Sequence, residues 1–141
     1  MKRKIALLLV LAGLLALLSG CKVSGHPLPE GMEEETVLSE GREVVALLNS
    51  GDWQEVYDSL RSDAQETSSP EAIQSYMDER LDKAGAYKSE DEAMATGQKI
   101  KATGEEYGTA VFYCKHKKKS VIYRIAYSID MELMGIQITV R

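Results

Sequence analysis

Along this chain the apolar positions run first without interruption, then at helical spacing, then in alternation, and each change marks a change of structure. Ile5 to Leu18 is a continuous run of apolar and small residues, about 14 long, whereas an apolar helix needs roughly 20 to cross a hydrocarbon core. Lys22 to Glu35 has no apolar period. Gly25, Pro27, Pro29 and Gly31 interrupt it and Glu33-Glu34-Glu35 closes it, so it reads as a polar tether. A first helix is predicted from about Thr36, where those glutamates suit the positive end of a helix dipole and Val37, Gly41, Val44 and Leu48 recur on one face. Asn49-Ser50-Gly51 ends it, with Gly51 suited to a left-handed cap. Asp52 and Glu55 stand at capping-box spacing, and Trp53, Val56, Tyr57 and Leu60 make the stripe of a short second helix. A third helix opens with Ser69 as N-cap and Pro70 behind it, carries Ile73, Tyr76, Met77, Leu81 and Ala84, and stops at Gly85.

Beyond Gly85 the period becomes two, and β-branched and aromatic residues replace the long helix formers. Tyr87 to Thr103 reads as an irregular edge strand, interrupted by Glu90-Asp91-Glu92 and Gly97. Tyr107 to His116, Ser120 to Ile129 and Met134 to Val140 follow as strands, separated by segments short enough for antiparallel hairpins. In the third strand Val121, Tyr123, Ile125, Tyr127 and Ile129 share one face and are expected to look toward the helices, with Arg124 and Ser128 facing away. The fold class is therefore α+β, with three N-terminal helices on a curved four-stranded antiparallel sheet.

The start of the chain changes this picture. Lys2, Arg3 and Lys4 precede the apolar run, and Leu18-Ser19-Gly20-Cys21 follows it. That order is a signal peptide rather than a span, and the four residues closely resemble a bacterial lipobox. The resemblance implies cleavage before Cys21, a thioether-linked diacylglycerol on its sulfur and a further acyl chain such as palmitate on its amine. Two chains anchor stably where one holds only marginally. The expected division is 1–20 signal peptide, 21–35 lipidated cysteine and tether, and 36–141 a single domain. The expected location is the extracytoplasmic face of the cell membrane.

Charge and cysteine content narrow the partners. Without residues 1–20 the chain keeps 14 basic against all 22 acidic residues. Glu30 to Glu92 is strongly acidic and Ala93 to Arg141 mildly basic, which lacks the single concentrated basic face that nucleic acid requires. With Cys21 acylated, Cys114 is the one thiol left, so the fold must be held by its core.

Gly51-Asp52-Trp53, Val56-Tyr57, the stretch Leu81-Asp82-Lys83-Ala84-Gly85-Ala86-Tyr87-Lys88, and Tyr107-Gly108-Thr109-Ala110-Val111 resemble a small uncharacterised subfamily of bacterial lipoproteins. The element order resembles the NTF2-like, cystatin-like cone. The likeness covers residues 36–140. It implies that fold, which hosts isomerases, dehydratases and plain binding modules alike, so the site must decide the function.

Proton-abstracting relatives of that fold use a cavity carboxylate with a tyrosine or acid that stabilises the oxyanion. Trp53, Tyr57, Tyr76, Tyr123 and Tyr127 are the candidate pocket lining, with ordinary core packing as the favoured alternative for each. No matching inward carboxylate is evident; Asp130 lies at a strand end. Cys114 and His116 share a strand face and could form a thiolate and base or two metal ligands. The other histidine, His26, lies in the tether, so no metal is expected and a quiet buried thiol is the better account. Lys115, Lys117, Lys118 and Lys119 surround a hairpin tip, where they solubilise the turn more readily than they bind anionic surfaces.

The chain thus reads as an envelope lipoprotein whose domain is a non-catalytic module without cofactor. Its expected partners are the membrane through the anchor, a small apolar ligand or an envelope protein, and a second copy of itself through the sheet. The competing class is a small isomerase or dehydratase using a cavity carboxylate and tyrosine.

Overall fold

The apolar stripes become the inner faces of two layers. The computed structural model describes residues 26–141; the signal segment and Cys21 lie outside them. Helices α1 (Glu34–Ser50), α2 (Trp53–Ser59), α3 (Ser62–Glu66) and α4 (Pro70–Ala84) precede strands β1 (Tyr87–Lys99), β2 (Glu106–His116), β3 (Ser120–Ser128) and β4 (Leu133–Val140). The strands form one antiparallel sheet in the order β1-β2-β3-β4. Among the described residues no helix is long and apolar enough to cross a membrane.

The helix stops follow the sequence closely. Gly51 caps α1 at φ 78°, and Ser69 Oγ accepts from Ala72 N at 3.0 Å at the start of α4. The capping box expected at Asp52 does not form; Asp52 Oδ2 instead accepts from Ser50 Oγ at 2.8 Å. The turn of helix in α3 carries too little apolar period to be seen in the sequence. Helix α1 crosses the sheet at Gly41, where a Cβ would stand 2.8 Å from Ala110 Cβ and from the Phe112 ring. A glycine inside a helix costs about 1 kcal/mol, and here it permits the closest approach of helix and sheet. Val37, Val44, Leu48, Val56 and Met77 meet Ala110, Phe112, Val121, Tyr123, Ile125 and Ile138 in the core.

Two expectations are corrected. Ile129 does not face the helices: it is 54% exposed, while Ser128 is buried. The strand ends at Ser128, whose amide donates to Glu132 O and whose carbonyl accepts from Met131 N, both at 2.9 Å. Ser128 is the closed root of a turn and Ile129 stands on its outside. Nor is the segment before α1 free along its length. His26 forms an antiparallel bridge with Gly97, in which Gly97 N donates to His26 O at 2.8 Å and His26 N to Thr96 Oγ1 at 3.1 Å. Pro27 lies over Gly97, and Leu28 and Met32 lie over Gly108. The paired glycines Gly97 and Gly108 leave a slot that this strap fills, covering part of the β1 edge. The register shifts in β1 fall at Tyr87/Ser89 and Glu90/Glu92, where the acidic interruption forecast an irregular strand.

Candidate functional site

Helices α2, α3 and α4 do not close completely over β4. Leu60 forms a parallel bridge with Leu133, and Arg61 N donates to Leu133 O at 2.8 Å, which seats the α2–α3 junction on the start of β4. Helix α4 leans on the far half of the same strand through Tyr76, whose Oη accepts from Ile138 N at 2.9 Å. Between these two attachments lies a cleft of about 310 Å³. Its walls are Leu48, Leu60, Ile73, Met77 and Ile136, with Thr67, Ser68 and Tyr76 as the hydroxyl groups. Arg80 braces Tyr76 from behind, its guanidinium carbon 3.6 Å from the ring centroid and Nη1 donating to Tyr76 O at 3.1 Å. Apolar walls with a few placed hydroxyls suit a small, mostly apolar guest.

Of the residues expected to line a pocket, the structure brings only Tyr76 to this cleft. Trp53 borders a shallow surface groove with Gly51 and Pro70. Tyr57 ties α3 to α2: its Oη donates to Gln65 O at 3.4 Å, and its carbonyl accepts from Gln65 Nε2 at 3.0 Å. Tyr123 and Tyr127 are core residues. The missed lining comes from α3 and the loop after it, from Ile73 and Met77 of α4, and from Met134, Gly135 and Ile136 of β4; Thr67 and Ser68 in a Ser/Thr-rich connection offered no apolar signal to read.

Tyr123 belongs to a buried polar chain. His116 Nδ1 lies 2.7 Å from Gly85 O, and a carbonyl can only accept, so Nδ1 carries the proton. Nε2 is then placed to accept from Tyr123 Oη at 2.7 Å, and Asn49 Nδ2 donates to the same phenol oxygen at 3.1 Å. Both ring nitrogens of His116 are thereby occupied, so it cannot serve Cys114 as a base. Burial pushes the Cys114 thiol up to about 11, which keeps it protonated and unreactive. Tyr127 Oη is buried without a hydrogen-bond partner among the described residues; burial first, and Glu40 and Glu43 after it, raise its pKa. No group of three or more potential metal ligands occurs among the described residues.

The lysine tip serves the fold. Lys118 N and Lys119 N donate to Ala84 O, at 2.8 and 3.3 Å, and Lys117 N donates to Ala86 O at 2.8 Å. The hairpin thus satisfies the carbonyl end of α4 and places cations at its negative pole. At the other end of the sheet, Arg61 binds Asp63 and Glu105 through paired contacts of 2.8 to 3.1 Å, joining the β1–β2 hairpin to the helix layer.

The layers and their cleft define an α+β domain with a curved antiparallel sheet, and comparison places it among known proteins. A family model described as a protein of unknown function, DUF3887, matches residues 41–136. The chain belongs to that family. It is similar to a protein from Ruminococcus gnavus ATCC 29149 whose NMR structure is known, with 30% identity over 78% of this chain and 94% of that one, at a TM-score of 0.66. No curated protein matches the chain.

Proposed function

We propose that this is a lipid-anchored envelope lipoprotein whose NTF2-like domain holds a small apolar molecule in the cleft beneath α3, as a binding module rather than an enzyme. The observation that carries the reading is the lining of the cleft: aliphatic walls, the hydroxyls of Thr67, Ser68 and Tyr76, and, among the described residues, no carboxylate, imidazole or amine. An isomerase or dehydratase needs a base within hydrogen-bond reach of the reacting proton, and the groups around this cleft do not supply one. Helices before a curved antiparallel sheet support the NTF2-like assignment, and the lipobox at Leu18 to Cys21 supports the anchor. Pairing of two copies through the outer sheet face, or contact with an envelope protein, fits the same location.

Native mass spectrometry of the protein purified from its source tests the binding reading. A retained apolar molecule of discrete mass is expected; a bare polypeptide in every preparation would count against it. Cys21→Ala is expected to abolish labelling by a fatty-acid probe, and unchanged labelling would refute the anchor.

A further inference from the structure

The strap before α1 carries directional information. His26 pairs with Gly97 antiparallel to β1, which runs from Tyr87 to Lys99. In such a pair, moving back along one strand means moving forward along the other. Traced back from His26, the line of this pairing therefore points to the end of the sheet where β1 finishes.

The β1–β2 hairpin, the β3–β4 turn and the start of β4 gather at that same end, because Lys99 faces Glu106, Tyr107 faces Ser128 and Tyr127 faces Leu133. Ile129 projects from the turn there. Among the described residues the exposed large apolar side chains are Tyr87 and Ile129. Tyr87 is engaged edge-on with the His116 ring, 5.5 Å between centroids, whereas Ile129 belongs neither to the core nor to the residues packed against it.

This inference rests on the reading that Cys21 is acylated. Only Lys22 to Gly25 then separate the anchor from His26, and that length of chain spans at most about 18 Å. Sheet spacings put Ile129 about 14 Å across from His26 and about 7 Å beyond the level of Gly97. A bilayer surface that holds the acyl chains within that span of His26 is thus also within reach of Ile129, on the side to which the pairing at His26 points. We propose that the anchored domain stands with this end of its sheet against the bilayer, and that Ile129 is its apolar contact with the lipid interface.

The charges nearby are mixed. Lys99 and Lys101 stand at this end with Glu106, Asp130 and Glu132, so the contact is apolar rather than a basic patch on anionic headgroups. The Leu60 margin of the cleft adjoins Leu133 at this same end, which gives a lipid-derived molecule a direct path to it.

The test uses the acylated protein in phosphatidylethanolamine–phosphatidylglycerol vesicles, with a nitroxide placed by Ile129→Cys or, at the opposite end, by Lys118→Cys. Both positions are exposed, so neither label disturbs the core. The label at residue 129 is expected to be protected several-fold from an aqueous nickel quencher relative to that at residue 118, equally at low and high salt. Equal quenching on protein that floats with the vesicles overturns the orientation and leaves the acylation reading intact. Protein of unmodified mass that fails to float overturns the acylation reading and the orientation with it. Protection that vanishes in high salt overturns the apolar contact in favour of an electrostatic one.

Discussion

His116 Nε2 and Tyr123 Oη lie 2.7 Å apart inside the domain, both residues buried, with Gly85 O and Asn49 Nδ2 completing the chain of bonds at either end. Tyr123→Phe keeps the ring and removes the one donor available to Nε2, leaving a buried acceptor unsatisfied. A loss of about 1–3 kcal/mol is expected, read as a lower urea midpoint with an unchanged slope. Stability within error of the wild type would mean that the network contributes nothing.

Gly41→Ala should destabilise the protein even though alanine is the better helix former. The added methyl meets Ala110 and Phe112 at 2.8 Å, and overpacking of this kind costs about 1–3 kcal/mol. Thermal unfolding checks the sign. A more stable variant would show that α1 can lift from the sheet freely.

Raising the pH should weaken the fold. The Cys114 thiol is held protonated to about 11 against an ordinary 9.0, and burial shifts the Tyr123 and Tyr127 phenols upward from 10.0. Each is an acid that the folded chain keeps protonated longer than the unfolded chain does, so the folded state binds more protons and stability falls as pH rises. The full contribution is present below the ordinary thiol value of 9.0, and the decline begins there. Urea midpoints measured across this range should decrease steadily, and less steeply in Cys114→Ala; a flat or rising profile contradicts the assignment.

Arg61→Ala should free the β1–β2 hairpin from the helix layer. The arginine is bonded to exposed Asp63 and half-buried Glu105, so the global cost is expected to be about 1 kcal/mol. Hydrogen exchange should rise at residues 100–105 and remain unchanged in β3. Uniform exchange across the sheet would contradict a local tie.

The helices and strands were legible because their signals are local. Ser69-Pro70 and Gly51 mark helix ends, and the alternation from Val121 to Tyr127 separates the inner face from the outer. The strap was not, because the contact of His26 with Thr96 joins residues 70 apart in sequence, and Pro27 and Gly31 read as linker chemistry. Alternation also carried Ile129 one step too far, past the point where Ser128 closes a turn. The candidate site was the least legible part. Aromatic residues announce burial, but whether they meet a cavity depends on partners elsewhere. Tyr123 went to the core because His116 and Asn49 satisfy its hydroxyl, while Tyr76 reached the cleft because the edge amide of Ile138 holds it there.

The most direct test of the binding account is a titration with an uncharged naphthylamine probe that fluoresces when removed from water. The wild-type domain should give a saturable rise, and Ala64→Leu, which narrows the cleft from the α3 side, should reduce the affinity at least severalfold while leaving the urea midpoint unchanged. No saturable signal, or equal binding by the two proteins, would contradict a ligand-holding cleft at this position.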